Sequence, residues 1–210
     1  KSEMSFTLID EKTWQRKAHF HHYLTDVPCT YSATFKLDVT ALREQNVPFF
    51  PTVLHCLSTV VNRHKEFRMS LNAEGLPGYY DILHPCFTVF HEDTETFSNL
   101  WTEYCEDRHT FYSTYKKNME RYQNCHDMVA RPDTPENTFP VSALPWASFE
   151  GFNLNLQKGY SYLLPIFTLG KFYCENGKTI LPLAVQVHHA VCDGFHLCRF
   201  VNGLQDLLNL

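Results

Sequence analysis

The residues of this 210-residue chain with the most chemical potential lie in one short stretch, residues 186–196, which reads QVHHAVCDGFH. It brings together His188, His189, Cys192, Asp193 and His196. A neutral imidazole can take a proton at pH 7, because its reference pKa is about 6.5. The stretch could therefore supply a general base, a set of metal ligands or a cysteine nucleophile. Adjacent histidines on a strand point to opposite faces and cannot readily share one ion, so no metal site is expected. Nothing beside Cys192 obviously activates a thiol. The plain alternative is a structural pair, with one ring buried and hydrogen-bonded and the other exposed.

The flanking segments say how this stretch is held. The preceding LPLAV is a buried-strand signal. Alternation along it puts Val185, Val187 and His189 on one face, with Gln186 and His188 on the other. His189 thus ends an apolar row at a strand terminus. Asp193 and Gly194 form a turn, with Asp193 a natural N-cap for the helix that follows. Leu197, Phe200, Val201, Leu204, Leu207 and Leu208 give that helix a clean apolar stripe.

Elsewhere the pattern predicts a helix over 10–23, a strand over 29–39, and a short helix capped by Thr40. A buried helix starts at Pro51, a position where proline is tolerated. A hairpin over 67–83 and strands at 86–91 and 94–102 follow. A polar, aromatic-studded helix over 106–122 precedes a loop at 127–137. Four further strands are expected at 138–146, 149–156, 162–172 and 179–188.

Hydrophobic residues make up 44% of the chain and charged ones 20%, which suits a single folded domain over 1–210 rather than a disordered chain. The formal charge of −5 argues against non-specific nucleic-acid binding, and no nucleic-acid partner is expected. The eight cysteines form no CxxC pair and mostly sit in apolar runs, which points to a reducing, cytoplasmic compartment. Neither an 18-residue apolar span nor a signal-peptide pattern is present, so no membrane partner is expected.

QVHHAVCDGFH resembles the signature of the chloramphenicol acetyltransferase family, and its HHxxxDG core is shared with lipoyl-dependent acyltransferases. The segments WQRKAHF, FFPTVLH, FTVFHEDTETFS, VSALPW and FNLNL also resemble that family, in the expected order and across essentially the whole chain. The resemblance implies an α/β fold with a mixed β-sheet flanked by helices, a CoA-dependent acyltransferase-like two-layer sandwich. It implies acetyl transfer from acetyl-CoA, as co-substrate and without a metal, to the primary hydroxyl of chloramphenicol. That activity would give antibiotic resistance in the bacterial cytoplasm. It further implies a homotrimer with each active site at a subunit boundary.

Residue by residue, the resemblance makes His189 the base and Ser142 the donor to the oxyanion, with Thr168 assisting through water. Asp193 pairs with Arg16 to hold the histidine loop, and the histidine keeps its tautomer through its own backbone carbonyl. Tyr23, Cys29, Tyr31, Phe97, Phe152, Leu154, Leu156 and Ile166 are expected around the acceptor. Trp146, Lys171 and Phe172 are expected along the CoA tunnel. Two departures stand out. Pro48 and Phe50 occupy places where many members carry lysine and tyrosine, so cationic help for the CoA phosphates is not expected there. His22 stands where an aromatic residue is frequent. The alternatives are a related acyltransferase with another hydroxyl or thiol acceptor, and a trimeric binder without turnover.

Overall fold

The run ILPLAVQV lacks the polar alternation of a half-exposed strand, which marks a strand covered on both faces. It forms most of β10 (Lys178–His188), in which residues 180–188 are all buried. The structure, a computed structural model, describes residues 5–156 and 161–210. β10 lies between β2 (Thr30–Asp38) and β8 (Ile166–Leu169), antiparallel to both. β7 (Thr138–Ala143) pairs in parallel with β8, and β5 (His84–His91) in parallel with β7. The antiparallel β6 (Thr96–Trp101) closes that edge. The short β9 (Tyr173–Glu175) folds back on the start of β10, which completes a seven-stranded mixed sheet. Its turn is Asn176-Gly177, with φ of 51° and 76°. This left-handed pair is what Asn-Gly adopts with least strain. β1 (Phe6–Leu8), β4 (Pro77–Tyr80) and β3 (Met69–Leu71) form a separate three-stranded sheet.

Helices α3 (Phe49–Arg63) and α5 (Gly194–Leu208) cover one face of the large sheet, with α4 (Arg108–Tyr122) beside α3. Leu54, Leu57 and Val61 of α3 meet Phe200 and Leu204 of α5 in one buried cluster with Phe87, Val141, Phe167, Val185 and Val187. Each such side chain contributes about 1.5–3 kcal/mol by leaving water. The cluster is what joins the helix layer to the sheet. The expected two-layer α/β architecture is present.

Several local expectations are corrected. The first helix is broken into turns over 11–16, the short α1 (Lys17–His21) and a π-helical turn His22–Asp26. Thr40 opens α2 (Thr40–Glu44) but does not cap it, because the Asp38 carboxylate accepts from both its N–H and its hydroxyl. α3 begins two residues before Pro51, still within the turn where a missing N–H costs nothing. Strands end earlier than expected at Ala143, before Pro145, and β8 is confined between Pro165 and Gly170.

The strand expected over 149–156 does not form. This segment crosses the sheet face opposite the helices, and side chains satisfy its backbone in place of a neighbouring strand. Ser32 Oγ donates to Phe152 O at 2.7 Å, and Leu154 N donates to Gln186 Oε1 at 2.9 Å. Without a strand pairing there is no single apolar face, and Leu154 and Leu156 are exposed.

Phe200 is fully buried, with ring centroids 4.4 Å from Phe67 and 5.4 Å from Phe167. Phe200→Ala should lower the free energy of unfolding by about 3–5 kcal/mol, read by chemical denaturation. Phe200→Leu should cost clearly less.

Candidate active site

His189 follows the last residue of β10, and its N–H donates to Cys29 O at 2.9 Å, which extends the β2–β10 ladder by one step. The chain then turns through residues 189–193 into α5. Almost every carbonyl of this turn has a partner. His188 O accepts from the N–H groups of Val191 and Cys192. Arg16 Nη2 donates to His189 O at 2.7 Å and Arg16 Nε to Ala190 O at 2.9 Å. The Tyr31 hydroxyl donates to Cys192 O at 3.0 Å.

The same guanidinium binds the Asp193 carboxylate with two bonds, Nη1 to Oδ2 at 2.8 Å and Nη2 to Oδ1 at 2.6 Å. The planar fork of arginine makes this four-bond clamp possible, and a lysine could not reproduce it. The Arg16 hydrogen bonds hold the Asp193 carboxyl below its ordinary pKa, against the opposing effect of burial. Asp193 stands at the N-cap of α5, where its own N–H donates to His196 Nδ1 at 2.9 Å. The expected Arg16–Asp193 pair is therefore present, together with two carbonyl contacts that sequence reading did not anticipate.

The two adjacent histidines have separate environments. His188 is buried, and its Nδ1 accepts from the Ala190 N–H at 3.0 Å, so that nitrogen carries no proton. The His189 side chain is 28% exposed. Its ring stacks face to face on Tyr23, with centroids 3.7 Å apart and planes 7° from parallel, and Tyr31 meets it edge-on at 5.4 Å. The π-helical turn sets Tyr23 in place for this stack. His189 Nδ1 is buried and lies 3.2 Å from Asp193 Oδ1, yet it makes no hydrogen bond. The distance is short but the alignment fails, and the carboxylate charge is already committed to Arg16. The expectation that the ring bonds its own carbonyl is also not met, since Nδ1 has no hydrogen-bond partner; that oxygen accepts from Arg16 instead. With Nδ1 enclosed, Nε2 is the nitrogen left to meet a ligand.

Cys192 is no competitor as a nucleophile, because burial pushes its thiol up to about 12. Among the described residues, no group of three or more histidine, cysteine or acidic side chains could hold a metal ion.

Ser142 sits on β7, opposite Thr168 of β8. Among the described residues its hydroxyl makes no hydrogen bond, so it is not tied to neighbouring backbone. It lines a largely apolar pocket of about 600 Å³ with Phe97, Trp146, Thr88 and Phe90. The Trp146 and Phe90 rings meet edge to face at 4.8 Å. Phe50 of α3 with Tyr115 and Met119 of α4 adds the helical wall. Thr88, Phe90, Tyr115 and Met119 were not singled out from sequence. The aromatic stripe of α4 was the one available signal, and it did not say which cavity the stripe would face.

The remaining candidates are distributed between these two places. Arg16, Tyr23, Cys29, Tyr31 and Asp193 gather around His189. Phe97 and Trp146 join Ser142, while Phe152, Leu154, Ile166 and Thr168 line a crevice too narrow to admit a water molecule. Leu156 is exposed, as are Phe172 and Lys171. Lys171 N donates to Ala147 O at 2.9 Å, next to Trp146.

His189 does not line the pocket of Ser142. The ladder aligns Ser142 with Thr168, and Thr168 with Ala184, five residues before His189. At about 3.3 Å per residue and about 4.8 Å per strand, roughly 20 Å of sheet separates the imidazole from the hydroxyl. Within one chain the two residues therefore do not meet.

The chain matches the family model for chloramphenicol acetyltransferase over residues 4–205. It is 57% identical over 205 residues to a chloramphenicol acetyltransferase of Vibrio anguillarum, covering 98% of this chain and 95% of that protein. It is 55% identical over 206 residues to one from Clostridium perfringens, covering 98% and 100%. A solved structure of a chloramphenicol acetyltransferase superposes with a TM-score of 0.86 at 22% identity, over 97% of this chain and 100% of that one. The dihydrolipoamide acetyltransferase of Azotobacter vinelandii shares the fold, with a TM-score of 0.68 at 16% identity over 91% and 86% of the two chains. By the family model and by identity over nearly its full length, this chain belongs to the chloramphenicol acetyltransferase family.

Proposed function

We propose that this protein transfers the acetyl group of acetyl-CoA to the primary hydroxyl of chloramphenicol, which confers resistance to the antibiotic. The observation that carries this reading is His189, a partly exposed imidazole whose backbone is pinned by Arg16 and whose Nδ1 is enclosed. Its Nε2 takes the hydroxyl proton as the oxygen attacks the thioester carbonyl and the new C–O bond forms. The Ser142 hydroxyl donates to the oxyanion of the tetrahedral intermediate, with Thr168 beside it. When the C–S bond breaks, the imidazolium returns the proton to the departing thiolate. Products are the acetyl ester and CoA, and no acyl-enzyme is needed.

The pocket of about 600 Å³ around Ser142 is of a size that suits a drug-sized ligand or the acyl arm of acetyl-CoA. Trp146, Lys171 and Phe172 border the donor, and Tyr23, Cys29, Tyr31, Phe97, Phe152, Leu154, Leu156 and Ile166 the acceptor. The separation of roughly 20 Å between base and oxyanion donor supports assembly of the site from two chains. A head-to-tail contact repeated three times closes a ring and completes every site, as in the homotrimer expected from the family resemblance. A cytoplasmic location fits the need for acetyl-CoA and the eight free cysteines.

Release of CoA thiol with acetyl-CoA and chloramphenicol should fall about 10²–10⁴-fold in His189→Ala. In Ser142→Ala it should fall about 10²–10³-fold. A parent-like rate in His189→Ala would sink the mechanism. Arg16→Lys keeps a positive charge but not the fork, so it should lower kcat more than tenfold while the protein stays folded by circular dichroism. Mixing the two inactive variants, His189→Ala and Ser142→Ala, after joint unfolding and refolding should restore activity at about a quarter of the sites. No recovery in folded hybrids would rule out a shared site.

A further inference from the structure

The helical layer carries a second cavity, of about 420 Å³, which shares no residue with the pocket of Ser142. α3 and α4 reach both. Phe50 and Tyr115 line the first cavity, whereas Arg63, the last residue of α3, and Arg108, the first of α4, line the second. Tyr104, Glu106 and Leu207 complete much of its wall.

The two guanidinium groups act on one point. Arg108 Nη2 donates to Cys56 Sγ at 3.7 Å. Burial pushes the Cys56 thiol up, and the charges of Arg108 and Arg63 both pull it down. Among the described residues, neither arginine has a carboxylate within ion-pair distance, and the Arg63 side chain makes no hydrogen bond. Two like charges held on one cavity favour an anion that meets both. Two planar forks suit a phosphate, whose oxygens can accept from each. The volume is that of a small-molecule site. Glu106 on the same wall repels a bare anion but accepts from a hydroxyl.

We propose that this cavity binds a small organic phosphate, a phosphate monoester of a hydroxylated carbon chain. Arg63 and Arg108 hold the phosphate, and Glu106 takes a hydroxyl. The site lies apart from His189 and Ser142, and it stands whether or not the protein acetylates chloramphenicol.

Calorimetric titration with glycerol phosphate, at constant ionic strength, tests it. The parent should bind one equivalent per chain with a Kd of about 1 mM or tighter. Arg63→Ala and Arg108→Ala should each weaken binding about tenfold, and the lysine variants should lie between, all folded by circular dichroism. Inorganic phosphate should bind less tightly than glycerol phosphate, and Glu106→Gln should narrow that gap. No binding by the parent, or an affinity unchanged in both folded alanine variants, would overturn the site. Equal affinity for sulfate would leave an adventitious ion only, and tighter binding of succinate would overturn the choice of phosphate. A gap unchanged in Glu106→Gln would overturn the hydroxyl contact.

Discussion

Arg16 and Asp193 are 177 residues apart in the chain, and the contact between them is the one on which the site depends. The turn that carries His189 has no regular ladder to hold it, since β10 has ended and α5 has not begun. Its carbonyls would need water or a donor from elsewhere. One guanidinium meets two of them and the Asp193 carboxylate together. A hydrogen bond to a charged group contributes about 1.5–3 kcal/mol, against about 5–15 kcal/mol for a whole domain. Losing a single bond of this clamp would therefore loosen the imidazole without unfolding the protein.

Burial and charge divide the labour around that turn. His188 is enclosed and used as an acceptor, which keeps it out of the chemistry and lets it hold Ala190. His189 keeps one edge open, and the parallel Tyr23 ring fixes its plane. Cys192 is sealed with its thiol pushed up, so the strongest nucleophile in the motif is silent. Of the two adjacent histidines and the cysteine, His189 is the one left both positioned and reachable.

The sheet then sets a geometric constraint. Antiparallel pairing of β8 and β10 places Ser142 and Thr168 level with Ala184, well short of the end that carries His189. A rigid sheet cannot fold back to join its own two ends. Ser142 faces a cavity walled by α3, α4, β5 and β6, whereas His189 is a partly exposed ring beside a turn.

The sequence by itself determined the local features whose cause is local. The stripe of α5, the buried run of β10, the N-cap position of Asp193 and the hairpin over β3 and β4 could all be read from periodicity and turn residues. The motif and the ordered segments around it also pointed to the family and to His189. Tertiary structure decided what depends on neighbours distant in sequence. FNLNL alternates like a strand, yet it lies as an extended crossing because Ser32 and Gln186 take its backbone groups and no strand lies beside it. The first helix breaks where a π turn brings Tyr23 onto His189. The pocket wall from Thr88, Phe90, Tyr115 and Met119 exists only once β5 and α4 are packed together. Periodicity reports which face of an element is apolar, whereas a site is defined by which faces meet, and that is settled by long-range pairing.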